Sequence, residues 1–197
     1  MELEKIKDKL NESEYIFFSH LQKELDLPLF FIGSITRGDY IKNKSDFDIE
    51  VFSNNIKSTK LKIESLFDYY DRKNENKIIV FKIDDIPMSG YKYYLKDKTK
   101  NIKMDFTIYK KNCQELLLQN RYIDINIPFL LTILFVILKY LYYYLNLINN
   151  YTYSYLKKII WKIYNNKKTI SKTYTLTEYK ELYNKEYMNS ENKEYLI

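Results

Sequence analysis

The chain is poor in the residues that most often carry chemistry or bend a backbone. Its 197 positions include one histidine, one cysteine, three glycines and three prolines. A lone His20 leaves no second imidazole for a zinc site and no partner pattern for a triad, so it reads as a surface or packing residue. A lone Cys113 excludes an internal disulfide, and a reducing, cytoplasmic setting is expected. The opening residues MELEKIKDKL have neither a basic n-region nor an apolar h-region, so no signal peptide is expected. Arginine occurs only at Arg37, Arg72 and Arg121. Phosphate would therefore be met mainly by the point charges of lysine rather than by bidentate forks. Any catalysis falls to carboxylates, hydroxyls or a metal ion.

Lysine, asparagine, isoleucine, tyrosine and phenylalanine are abundant instead. Those are the residues of AT-rich codons, a genome bias such as a virus or parasite has. Hydrophobic residues make up 46% and charged residues 29%, enough for a folded domain, or two small lobes, that stays in solution. The net charge of +6 and pI near 9.0 permit a polyanionic partner without demanding one.

Strand patterns cluster in the first 110 residues and helical patterns in the rest, which predicts an α+β fold: a sheet lobe over 1–110 and a helical lobe over 111–197. Apolar spacing predicts a helix over Leu3–Leu25, a strand at Leu29–Ile32, a polar turn-and-helix segment at Gly33–Lys44 and a strand at Phe47–Phe52. A helix at Leu61–Tyr70 and a strand at Ile78–Ile83 follow. Tyr91–Leu95 and Ile102–Tyr109 read as a hairpin around a polar turn at Lys96–Asn101. Helices are expected near Cys113–Asn120, Pro128–Ile148, Tyr153–Tyr164 and, from a Thr175/Glu178 capping box, after Thr175.

Pro128–Ile148 has about the length of a membrane span. Its Lys139 sits mid-segment, where a charge costs roughly 2.5–3.5 kcal/mol on insertion scales. A core helix is the preferred reading, with no membrane.

The stretch Phe30–Phe52, FFIGSITRGDYIKNKSDFDIEVF, holds two of the glycines and two acids one residue apart. On a strand Asp46 and Asp48 point to one face and Phe47 and Ile49 to the other. Neighbouring carboxylates repel, and in low dielectric one takes up a proton unless a divalent cation sits between them. Asp105, in IKMDFTI, is another lone acid in an apolar strand, with Asp84 and Asp85 as competitors for the third position. Three carboxylates on adjacent strands suit two hard cations, Mg²⁺ or Mn²⁺, and in-line phosphoryl displacement. Gly33 and Ser34, ending a strand ahead of Arg37 and Gly38, would let backbone and hydroxyl approach a phosphate. The plain alternative is a surface turn followed by an edge strand with solvated aspartates.

IGSITRGDYIKNKSDFDIEVF together with Asp105 resembles the signature of the nucleotidyltransferase superfamily of DNA polymerase beta, poly(A) polymerases, terminal uridylyltransferases and oligoadenylate and cyclic-dinucleotide synthases. KYLYYYLNLINNYTYSYLKKIIWKIY resembles the poly(A) polymerase and uridylyltransferase branch: a lysine in an apolar helix, a loop at Asn149–Thr152, then Ser-Tyr opening another helix. The resemblance covers about residues 25–165. It implies a polymerase-beta-like mixed sheet with flanking helices and a small helical lobe. It implies that Gly33, Ser34, Lys139 and Ser154 hold a triphosphate and that Tyr155 stacks on the base. Asp46, Asp48 and Asp105 would carry the metals and the catalysis. The implied reaction adds a nucleoside monophosphate from an NTP, ATP or UTP, to an RNA 3′ end and releases pyrophosphate. A signalling-nucleotide synthase, a protein-nucleotidylating enzyme and a non-catalytic polymerase subunit share parts of the pattern. Thr152 and Tyr153 depart from the family at the positions before Ser-Tyr, and the short helical lobe leaves base choice open and suggests a protein partner.

Two further expectations concern surfaces. Lys157, Lys158, Lys162, Lys167, Lys168 and Lys172, interleaved with Trp161 and Tyr164, form either a nucleic-acid contact or a solvated helix face. The apolar Pro128–Ile148 helix predicts a homodimer buried through that region.

Overall fold

Asn11 interrupts what apolar spacing reads as one N-terminal helix. In the computed structural model, Leu3–Lys9 is a 3-10 segment that buries Leu3 and Ile6. Asn11 then caps helix α1, Glu12–Leu25: its Oδ1 accepts from the Glu14 amide, and Glu14 accepts from the Asn11 amide, both at 2.8 Å. This reciprocal cap satisfies two free donors and fixes a new helix start. The structure describes residues 1–67, 77–83, 85–97, 102–125, 127–164, 172–188 and 193–197. The expected helix end at Tyr70, the tip of the Lys96–Asn101 turn, Asp84, Arg72, Lys167 and Lys168 lie outside them.

Six strands form one mixed sheet in the order β1-β2-β5-β4-β3-β6. They are β1 Phe30–Ile32, β2 Phe47–Ser53, β3 Lys77–Ile83, β4 Ile86–Asp97, β5 Ile102–Lys110 and β6 Lys172–Tyr174. Strand β2 runs antiparallel to β1 and parallel to β5; all other pairs are antiparallel. The parallel register sets Asp48 directly beside Asp105 and Phe47 beside Met104.

The two faces of β2 are buried by different things. Phe47, Ile49 and Val51, with Met104, Phe106 and Ile108 of β5, form the main core under Phe18 and Leu21 of α1 and Ile63 of α2, Ile56–Leu66. On the opposite face Asp48 and Glu50 precede Phe52. Phe52 packs with Tyr109, Cys113 and Leu117 beneath helix α3, Gln114–Ile125. That face thus changes from acidic to apolar along one strand.

Helix α4, Phe129–Tyr143, and helix α5, Asn150–Tyr164, pack together through Phe135 on Trp161 and Tyr142 on Tyr153, with ring centroids 5.3 and 4.5 Å apart. Helix α4 is 15 residues long and stops before the chain turns through a left-handed Asn146. Among the described residues no helix is long and apolar enough to cross a membrane. Helix α6, Leu176–Leu182, starts at the expected Thr175/Glu178 capping box. The sheet itself crosses the boundary expected at residue 110. Strand β6 extends it beyond β3, and Tyr179 of α6 bonds Ser89 of β4 at 2.9 Å. A three-residue polar edge strand has no hydrophobic period, so only its pairing reveals it.

Candidate nucleotidyl-transfer site

Gly33 is the first residue fixed by this arrangement. It follows β1 with φ +71°, and a Cβ placed on it would overlap Asp48 Oδ2. The Asp48 carboxylate therefore rests against bare backbone, which only glycine supplies at that φ. Ser34 follows in a short 3-10 turn, buried at 8% exposure, and its carbonyl accepts from the Arg37 amide at 3.1 Å.

Asp48 and Asp105 face the same cleft from adjacent strands, with Asp46 one residue before β2. Burial, followed by the charge of Asp105, pushes the Asp48 carboxyl up to about 6. Burial also raises Asp46, with Lys103 opposing and Asp105 adding to the rise. Lys92 of β4 meets Asp105 Oδ2 at 2.8 Å. Burial alone would lower Lys92, but the charge and hydrogen bond of Asp105 outweigh it and hold the ammonium above its ordinary range. Among the described residues no three histidine, cysteine, aspartate or glutamate side chains are gathered into a group that could hold a metal ion. The donor set nevertheless fits a hard cation: all-oxygen ligands, two in lateral register, with mutual repulsion that a divalent charge would relieve. Lys92 supplies part of that positive charge at Asp105.

The cleft has a volume of about 630 Å³ and lies between this sheet face and the α4–α5 pair. Its acids, Asp46, Asp48 and Asp105, are confronted by Arg37, Lys92, Arg121, Lys139, Lys157 and Lys158. Gly33, Ser34, Lys139 and Ser154 also line it, so most of the expected residues meet in one place.

Three placements differ from expectation. Lys139 lines the cleft, but its ammonium is buried and already engaged. It donates to the Asp39 carbonyl at 2.7 Å and to Ser45 Oγ at 3.2 Å, and lies 3.1 Å from Asp39 Oδ2. Burial lowers its proton affinity. Arg37 completes the cluster, 2.8 Å from Asp39 and stacked 5.2 Å from the Trp161 ring centre. Burial would raise Asp39, yet the two cations hold its carboxyl below the usual range.

Helix α5 begins at Asn150, earlier than the expected Asn149–Thr152 loop allows. Asn149 Oδ1 accepts from the Thr152 amide at 2.8 Å, so the helix is capped there and Ser154 lies within it. Tyr155 is 56% exposed and does not line the cleft. It lies two positions beyond Tyr153, a turn of about 200° at 3.6 residues per turn, so one of the pair faces the cleft and the other faces away. Tyr153 faces in, with Tyr143 and Trp161.

Of the competing acids, Asp85 sits in the tight β3–β4 turn with φ +66° and does not line the cleft. Sequence reading passed over Asp39, Glu50 and Lys92. Glu50 is the third acid of the alternating face of β2, and Arg121 of α3 neutralises it at 2.7 Å. A signal for Asp39 did exist: a lysine inside an apolar helix needs a buried counter-charge. Nothing in the sequence says which acid supplies it. Of the lysine run, Lys157 and Lys158 line the cleft, while Lys162 and Lys172 are exposed. Comparison of the chain with protein families, curated proteins and solved structures finds no match.

Proposed function

We propose that the chain is a metal-dependent nucleotidyltransferase of the polymerase-beta-like fold that adds nucleoside monophosphates to RNA 3′ ends without a template. One observation carries the reading. Asp48 and Asp105 lie side by side on parallel strands, with Asp48 seated against Gly33, in a cleft whose other wall is basic. A paired-acid wall facing a basic wall suits a polyphosphate substrate whose leaving group is itself an anion.

Mg²⁺ or Mn²⁺ ions held by Asp46, Asp48 and Asp105 would neutralise phosphate charge and favour deprotonation of the attacking hydroxyl. The 3′ oxygen of the acceptor forms a bond to the α-phosphorus of ATP or UTP as the α–β bridging bond breaks and pyrophosphate leaves. In this reading Asp105 receives the hydroxyl proton, and Lys157, Lys158, Ser34 and Ser154, which line the cleft, hold the triphosphate. Lys139 acts at one remove: bound to Asp39 and Ser45, it fixes the turn that carries Asp46 against α4. Tyr143, half-buried on the cleft wall, rather than the outward Tyr155, offers an aromatic face for a base; Tyr153 and Trp161 beside it are buried and already covered. Lys92, 2.8 Å from Asp105, would be available to a phosphate if that carboxylate held a cation instead.

The reading is tested by incubating the protein with each labelled NTP, an RNA oligonucleotide and Mg²⁺ or Mn²⁺, then resolving the products. A ladder of extended RNA is the expected result. Small cyclic or linear dinucleotides, or labelled protein, would replace RNA by another acceptor. Absence of any NTP turnover would reject the enzyme.

A further inference from the structure

Helix α4 turns Phe135, Leu138 and Lys139 inward and leaves the opposite face bare. Phe129, Leu130, Ile133, Leu134, Ile137 and Tyr140 follow one another at helical spacings along that face. Phe129 is 76% and Leu130 74% exposed, and the other four are between 37% and 51% exposed. No charged side chain interrupts it, since Lys139, the sole charge of the helix, is buried.

Scaling roughly 150–250 Å² per large side chain by these exposures, the bare face amounts to about 500–800 Å². That lies at or above the upper end of the roughly 300–600 Å² of a monomer's largest apolar patch. It approaches the roughly 800 Å² that each partner contributes to an interface of standard size.

We infer that this face of α4 is an isologous interface and that its occupant is a second copy of the chain. Two features favour that occupant. An uncharged, uniformly apolar helix face is complementary to itself, so a twofold axis across α4 sets no like charges against each other in a chain of net charge +6. A helix that lies in a membrane surface is flanked by lysine and arginine on its polar side, and the inward side of α4 offers only Lys139, already bound to Asp39. The cleft residues lie on the α5 side of α4, so pairing through this face leaves the site open. The inference does not depend on the proposed activity.

The test is light scattering of the full chain at micromolar concentration, alongside an Ile133→Glu/Ile137→Glu variant. Both side chains are exposed, so the variant is expected to keep its circular dichroism and melting profile. The expected result is a wild-type mass twice the 24.2 kDa of one chain and a variant of single mass. A monomeric wild type overturns the inference. So does a dimer that persists in the folded variant, or a monomer that instead floats with phosphatidylcholine vesicles. If the double variant does not fold, Leu130→Gln at the end of the helix gives the same readout.

Discussion

At the residue scale, Gly33 and Asp48 constrain each other. Alanine at position 33 would need both a left-handed φ and space that the Asp48 carboxylate occupies. Gly33→Ala is expected to cost about 1–3 kcal/mol, the usual range for strained backbone, and to displace Asp48, so stability and nucleotide transfer fall together. An active variant with an unchanged melting temperature would contradict the close contact. Asp48 also makes the metal-free protein sensitive to pH. Its carboxyl is raised from the ordinary 3.8 to about 6, so the folded state holds the proton more tightly than the unfolded chain. The stability this lends is fully present below pH 3.8 and is lost as pH rises through about 6. Asp48→Asn mimics the protonated form. In the presence of a chelator it is expected to melt higher than wild type at pH 8 and to match it near pH 4. A variant less stable than wild type at pH 8 would show that the ionised carboxylate is already compensated.

At the scale of elements, the buried cluster of Arg37, Asp39 and Lys139 joins α4 to the turn before β2. Removing one partner of a buried ion pair costs roughly 3–5 kcal/mol because the remaining charge is left without compensation. Arg37 still faces Asp39 after Lys139→Met, so the lower end applies, a fall of about 6–12 °C in melting temperature for a chain of this size. A normal melting temperature combined with a raised NTP KM would instead mean that Lys139 leaves Asp39 for the triphosphate. Period-two alternation made β2 and β5 legible in the sequence, and with them the shared face of Asp46, Asp48 and Asp105. Helical spacing did the same for α4 and α5. What sequence could not supply were pairings between distant positions: Lys92 with Asp105, Glu50 with Arg121, and Asp39 with Lys139. Each depends on which elements pack together, which no local pattern encodes. The early start of α5 followed from Asn149 acting as a cap, a local signal outweighed by the reading of Ser-Tyr as the helix opening. The Asn11/Glu14 capping box was likewise hidden by an apolar spacing that runs through it.

At the scale of the molecule, opposite charges are gathered on the two walls of one cleft. Asp48 and Asp105 come from the sheet with Asp46 just before it, Lys139, Lys157 and Lys158 come from α4 and α5 and Arg37 from the turn after β1, while Lys92 of β4 and Arg121 of α3 stand on the acidic side, bound to Asp105 and Glu50. The net charge of +6 would favour encounter with a polyanion such as RNA at low salt, an advantage that falls as salt rises. The one measurement that tests the account most directly is pyrophosphate release from ATP or UTP with RNA and Mn²⁺, for wild type against folded Asp48→Asn. The account expects release that requires both RNA and metal, accompanied by lengthening of the RNA, with the variant reduced to background. Release that is equal in the two proteins, or that neither shows, would contradict the assignment of this cleft to nucleotidyl transfer.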